Sequence, residues 1–247
     1  MIKIGVVGYL NTLPIFYRWT TKDVLFVKDH PSKLVEYLRE GKIHAGIVSS
    51  AEYLIHGEQY IIVPNISISS KERACSVLIF SKKPLEKVDT LYLTPASLTS
   101  RLLALYVLRE VYRREPQIVK DKSHAEAVML IGDEALRERF SNAWLYVYDL
   151  GSEWFHLHGL PFVFALFLVR KDAPPELVSL IERECSRSKE VFFQELKAHR
   201  IKLQGYSQEF LEGYFTSCLD YNLGSEELKS LEIFKEILIK GGLSLKR

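Results

Sequence analysis

The sequence predicts an α/β chain built as two lobes with a ligand cleft between them, and three observations carry that prediction. Apolar runs of four to six residues alternate with segments of helical period, the pattern of layered β/α units with mostly parallel sheets. The alternation stops at Lys82-Lys83-Pro84 and starts afresh, so a second block can carry its own small sheet. Two apolar strands, at about 76–81 and 161–169, are where the chain crosses between the blocks, and a double crossing makes a hinge. The expected division is 1–81 with 165–247 for the first lobe and 82–164 for the second.

In chain order, residues 2–7, 24–28, 45–48 and 60–63 read as strands. Between them PSKLVEYLREG reads as a helix, with Ser32 as N-cap, Leu34, Val35 and Leu38 on one face and Gly41 as the stop. In the second block TLYLT, AVMLI and LYVYDL are strands, and SLTSRLLALYVLREVYRRE and GDEALRERF are helices. After PFVFALFLV the remainder reads as helical: one helix opened by Pro174-Pro175 and running to about His199, a second after Ser207, and a third from Ser225 to Gly241-Gly242. Three terminal helices without strands suggest a cap returning to the first lobe.

Composition narrows the function. An apolar fraction of 47% is ample for a packed core. Net charge is +2, with 33 basic residues dispersed among 31 acidic ones, which argues against nucleic acid as a partner. Cys75, Cys185 and Cys218 are far apart and odd in number, so they read as buried small hydrophobes. No apolar stretch reaches the ~18 residues of a membrane span, and the first strand follows directly on Met1 without a leader pattern. The expectation is a soluble, cytoplasmic protein with no membrane partner; oligomeric state is not legible.

In α/β lobes the ligand lies beyond the carboxyl ends of strands, where helix N-termini present N–H groups. Those ends are GYLNTLP (8–14), SSAEY (49–53), TPASLTS (94–100), IGDEAL (131–136) and YDLGSEW (148–154). The first three are rich in hydroxyls and amides. They supply Tyr9, Asn11, Thr12, Ser49, Ser50, Tyr53, Ser97, Thr99 and Ser100 as candidate ligand contacts, with Ser76 at the start of the first crossing strand. Each hydroxyl is also a plausible helix cap; three such groups facing one cleft point to a site. Asp133 and Glu134 read as dipole complements in a helix first turn. Asp149, which ends a strand, either orients a loop or touches the ligand. His156 and His158 form H-x-H, a metal pair only if both rings share a strand face; without a third ligand they read as structural. Gly5-Val-Val-Gly8 falls short of a dinucleotide fingerprint, and neither G-x-S-x-G nor a phosphate-binding loop occurs.

Taken in order, GYLNTLP, VSSAEY (48–53), SVLIFSKKPL (76–85), LTPASLTSRLL (93–103), LIGDEAL (130–136) and YDLGSEW followed by GLPFVFALF (148–167) resemble the chorismate dehydratases of the futalosine route to menaquinone, commonly called MqnA. The resemblance implies a fold like that of type II periplasmic binding proteins and a cofactor-free reaction. Chorismate would lose water to give 3-[(1-carboxyvinyl)oxy]benzoate. It also implies a grip on two carboxylates by the helix starts behind Asn11-Thr12 and at Ser97-Thr99-Ser100, with Asn11 as the catalytic residue. The substrate's own enolpyruvyl carboxylate is a candidate base, with Asp149 and Tyr9 the first protein alternatives. Departures from the family pattern are His158 in place of the usual Thr, His44 and Glu126 where acids or Asp are common, and Ala96-Ser97-Leu98 before the retained Thr99-Ser100 pair. Two rivals share the architecture: a cytoplasmic small-carboxylate binding protein without turnover, and the related dihydroxynaphthoate synthase of the same pathway, whose amino-terminal motif is built around Pro-Asn-Asp.

Overall fold

Two sheets, each flanked by helices, organise the computed structural model, which describes residues 1–241. The first part of the chain runs β1 (Ile2–Val6), α1 (Leu13–Phe16), β2 (Val24–Lys28), α2 (Pro31–Arg39), β3 (Ala45–Ser49), α3 (Ser50–His56) and β4 (Tyr60–Ser70). The second part runs β5 (Val77–Ser81), β6 (Thr90–Leu93), α4 (Leu98–Glu110), β7 (Gln117–Val119), β8 (Ala127–Ile131), α5 (Gly132–Phe140), β9 (Tyr146–Asp149) and α6 (Leu150–His158). The return is β10 (Val163–Arg170), α7 (Glu176–Lys197), α8 (Gln208–Gly213), a π-helical turn (Tyr214–Cys218), β11 (Leu219–Asp220) and α9 (Ser225–Lys240). Gly242 of the expected terminal stop lies outside the described residues.

The six-stranded sheet has the order β11-β4-β10-β3-β1-β2, and the five-stranded sheet β7-β6-β8-β5-β9. The two-lobed α/β class matches the sequence reading, but the pairing is mixed rather than mostly parallel. β1 pairs in parallel with β2 and β3, and β6 with β7 and β8. The strands that return from a passage between sheets, β5 and β10, enter antiparallel to both of their neighbours. β5 belongs to the second sheet, so the passages themselves fall at about residues 71–76 and 159–162.

Local chemistry accounts for the other departures. Pro31 occupies the first turn of α2, so the extended His30 becomes the N-cap and Ser32 falls inside the helix. β4 continues past Pro64 because a register shift against β10, with Asn65 in the left-handed region, absorbs the proline. β11 adds a strand where only helices were expected, pairing with the end of β4 through Leu219 and Asp220. Cys75 and Cys218 form a disulfide, Cα to Cα 5.9 Å, instead of packing as separate thiols; Cys185 is the buried free cysteine. Gly5 and Gly46 face each other across β1 and β3, and a Cβ on Gly46 would lie 3.3 Å from the Gly5 carbonyl oxygen. These glycines serve close strand packing.

The first sheet packs Ile4, Ile47 and Phe167 against α7 residues Ile181, Cys185 and Phe192. The second packs Ile79, Leu91 and Met129 with α4 residues Leu103 and Val107. α7 and α8 return to the first sheet as expected, whereas α9 straddles both lobes: Leu231 joins the cluster of Leu34 and Leu166, while Phe234 meets Trp154 at 5.8 Å and Phe162 at 5.0 Å. No helix among the described residues is long and apolar enough to cross a membrane.

His156 and His158 lie on α6, not on a strand, and two residues apart on a helix they point away from one another. His156 Nδ1 bonds the Ser152 carbonyl, and His158 is wedged between Tyr106 and Trp154 with Nε2 3.1 Å from the Tyr106 hydroxyl. Burial holds the His158 imidazolium pKa below its ordinary value. The unfolded chain therefore binds the proton more readily, and stability must fall as pH drops from about 6.5 toward the lower folded-state value. Urea unfolding of wild type and His158→Gln should show a midpoint difference that changes in the variant's favour as pH is lowered through that window. A difference constant from pH 8 to 5 would contradict the assignment.

Candidate active site

The carboxyl ends of β1 and β3 meet the starts of α4 and α5 around a cavity of about 80 Å³. From the first sheet, Tyr9, Asn11, Thr12 and Ser49 line it beside the apolar Val7, Ile47, Ile68 and Phe164. From the second come Ser76, Ser97, Ser100 and Gly132. Small-molecule sites commonly hold about 300–1,000 Å³, so a ring-sized ligand requires these walls to part.

Hydroxyl chemistry closes the seam. Thr99, fully buried, accepts the Ala51 N–H at 2.8 Å and contacts both the Ser49 and Ser50 hydroxyls. Its own N–H donates to Ser49 Oγ at 3.0 Å, and Ser50 Oγ donates to the Val163 carbonyl at 2.7 Å. Ser97 caps α4, accepting the Ser100 N–H at 3.2 Å and the Ser100 hydroxyl at 3.1 Å, which leaves the Ser97 proton free to face the cavity. The N–H groups of Thr99 and Ser100 are thus already satisfied. What this helix start presents to the cavity is hydroxyl groups rather than these two amides.

A second junction joins the turn after β1 to α5. The Leu10 N–H donates to Asp133 Oδ1 at 2.9 Å, and the Tyr9 ring covers Gly132, where a Cβ would come within 2.8 Å of the ring. Gly132 also has φ +58°, a conformation that favours glycine. Thr12 Oγ1 lies 2.8 Å from the Val7 carbonyl and 2.9 Å from the Tyr9 carbonyl, fixing the turn that presents Asn11. Asn11 Oδ1 is buried without a hydrogen-bond partner. Burial, reinforced by Asp133 and Glu134, raises the Tyr9 phenol's pKa, so it stays protonated at neutral pH.

The structure therefore brings Tyr9, Asn11, Thr12, Ser49, Ser76, Ser97 and Ser100 to one cavity. Ser50 and Thr99 stand behind its wall as ties. Tyr53 packs its ring against Gly57, outside the lining. Asp149 accepts N–H bonds from Ala74, Cys75, Gly151 and Ser152, so its carboxylate fastens the passage between sheets to the start of α6. Asp133, read from sequence as a dipole complement, is also an interlobe tie; its place at a strand end was the available signal. The apolar wall residues carry no such signal, because a mid-strand Ile or Phe reads simply as core.

Ser76 Oγ lies 2.7 Å from the hydroxyl of the fully buried Tyr214, and the adjacent Cys75 is bonded to Cys218 at the other end of the same π-helical turn. The turn thereby holds one wall of the cavity at two successive residues. Thr99→Val, which keeps the shape and deletes the shared hydroxyl, should lower the unfolding free energy by about 1–3 kcal/mol and speed hydrogen exchange at the Ala51 amide. Unchanged exchange there would show that Thr99 does not tie the walls.

The family described as Menaquinone biosynthesis matches residues 2–240. A chorismate dehydratase of Thermus thermophilus is 27% identical over 259 residues, covering 95% of this chain and 94% of that protein. A chorismate dehydratase of Campylobacter jejuni is 28% identical over 171 residues, 66% of this chain and 65% of the other. Among solved structures, protein AF1704 of Archaeoglobus fulgidus superposes with a TM-score of 0.74 at 16% identity over 98% of each chain. The alkanesulfonate-binding protein SsuA of Xanthomonas axonopodis pv. citri, bound to MOPS, superposes with a TM-score of 0.66 at 12% identity, over 98% of this chain and 93% of its own. The fold is that of the periplasmic binding proteins.

Proposed function

Since the chain belongs to the menaquinone-biosynthesis family, we propose that it is a chorismate dehydratase, converting chorismate to 3-[(1-carboxyvinyl)oxy]benzoate and water. The observation that carries this reading is Asn11 Oδ1, a buried acceptor at the cavity with no partner among the described residues. An orphaned buried acceptor is costly, and a ligand hydroxyl relieves that cost. The C4 hydroxyl of chorismate is such a donor. The names of the Thermus and Campylobacter relatives support the choice of substrate.

In the elimination the C3–H bond breaks, its electron pair becomes the new ring double bond, and the C4–O bond breaks with the departing hydroxide. Proton and hydroxide together make the water lost. Among the described residues, no carboxylate, imidazole or amine lines the cavity. Asp149 is engaged by four backbone amides, and the Tyr9 phenol is protonated at neutral pH. The substrate's enolpyruvyl carboxylate is then the base. Aromatisation drives the step, and the protein's task is to hold the ring with C3–H near that carboxylate while Asn11 fixes the C4 hydroxyl.

Purified protein incubated with chorismate should yield a product lighter by one water by mass spectrometry. A complex that forms without that loss would instead identify a small-carboxylate binding protein. Asn11→Ala should lower kcat/KM by about 100-fold or more, as loss of a preorganised contact to the reacting region does. With the base on the substrate, kcat should stay flat from pH 6 to 9; a steep titration near neutrality would assign the base to a protein group.

A further inference from the structure

The ligand proposed above is a dianion, yet among the described residues every side chain lining the cavity is neutral. Removing two carboxylates from water without a countercharge is expensive, and hydroxyl donors offset only part of that cost. The missing charge lies at the rim. Lys28 ends β2, in register with Val6 of β1, at the carboxyl edge of a parallel strand pair where ligands of such sheets bind. Its side chain folds back over Gly8: a Cβ at Gly8 would lie 2.4 Å from Lys28 Cε and 3.0 Å from Nζ. Gly8 sits between the lining residues Val7 and Tyr9, and Pro31, three residues beyond Lys28, lines the same cavity.

The ammonium is also uncommitted. Lys33 on α2 and Lys42 beyond it pair with Glu36 and Glu40, but Lys28 pairs with no carboxylate among the described residues. The adjacent Asp29 has both oxygens occupied, one by the His30 N–H and the other by the Tyr37 hydroxyl. On the α5 side, Arg137 counters Asp133 and Glu134 near the Tyr9 phenol and Glu134 pairs with Lys122 at 3.1 Å, so that side offers no surplus positive charge. The absent side chain at Gly8 leaves room for the lysine stem to lie over the exposed turn after β1.

Resting on the dehydratase reading, we propose that Lys28 is a substrate-binding residue whose ammonium pairs with one carboxylate of the dianion at the cavity mouth. Asn11 and the hydroxyls then set orientation, while Lys28 supplies charge.

Calorimetric titration of the dianionic product 3-[(1-carboxyvinyl)oxy]benzoate, which keeps both carboxylates and is not turned over, into wild type, Lys28→Gln, Lys28→Arg and Arg137→Gln tests this at about 20 mM and about 300 mM salt, conditions that bracket weak and strong screening. Arg137 is the cation near the Tyr9 phenol on the opposite rim and serves as the comparison. Expected at low salt is an affinity about tenfold weaker for Lys28→Gln and under about threefold weaker for Lys28→Arg, with Arg137→Gln near wild type. Wild-type affinity should fall with salt, and the Lys28→Gln affinity should barely change. Wild-type affinity and salt dependence in Lys28→Gln, or their loss in Arg137→Gln instead, would overturn the assignment. Chorismate that binds without losing water would overturn the dehydratase reading while the product affinities still judge Lys28; a wild type that binds neither chorismate nor the product at low salt would overturn both.

Discussion

The hydroxyl of Thr99 lies in a dry seam between two helix starts that belong to different sheets, and it must satisfy both. A buried polar group in such a place is affordable only if each neighbour is positioned to complete its bonds. That requirement aligns the carboxyl end of β3 with the amino end of α4, and the remaining walls follow from the alignment. Ser49 and Ser97 are brought to one cavity, and the Val163 carbonyl, bound by Ser50, anchors the start of β10 to the same point. The corresponding junction on the far side uses a carboxylate and an aromatic ring, Asp133 and Tyr9, in place of hydroxyls.

A neutral, hydroxyl-lined cavity suits a reaction whose driving force resides in the substrate. General acid–base catalysis by a protein side chain needs a group that titrates near the working pH, and the lining offers none. What the lining offers instead is fixed geometry. Asn11 is presented by a turn that Thr12 ties to two carbonyls, and Ser76 is held from behind by Tyr214 and by the neighbouring disulfide. Charge belongs at the mouth, where it attracts an anion without bearing the desolvation cost of the interior.

Much of this organisation is legible in the sequence because α/β strands end abruptly. The switch from apolar residues to GYLNTLP, SSAEY and TPASLTS marks the strand ends, and ligand sites of this architecture gather there. Short-range patterning fails where the decisive partner is distant. Nothing near Cys75 identifies Cys218, 143 residues away, as its partner. β11, two residues long, owes its strand conformation to β4 rather than to its own propensity. Asp149 illustrates the same limit within a site: the sequence places it at a strand end, but only the fold shows its oxygens already engaged by four amides. Lys28 is hidden for the opposite reason, since its relevance comes from the side chain missing at Gly8.

The straddling position of α9 bears on how far the walls can separate. Two chain passages alone would leave one lobe free to swing about the line joining them. α9 lies across the seam with Leu231 seated on the first lobe and Phe234 among the rings of Trp154 and Phe162 in the second. It works as a bolt laid over a joint: a swing that pulls Phe234 from those rings exposes aromatic surface to water, so the hinge has a stop as well as an axis. Any parting of the cavity walls is resisted by this contact, which is made by a helix far in sequence from every lining residue except Leu219.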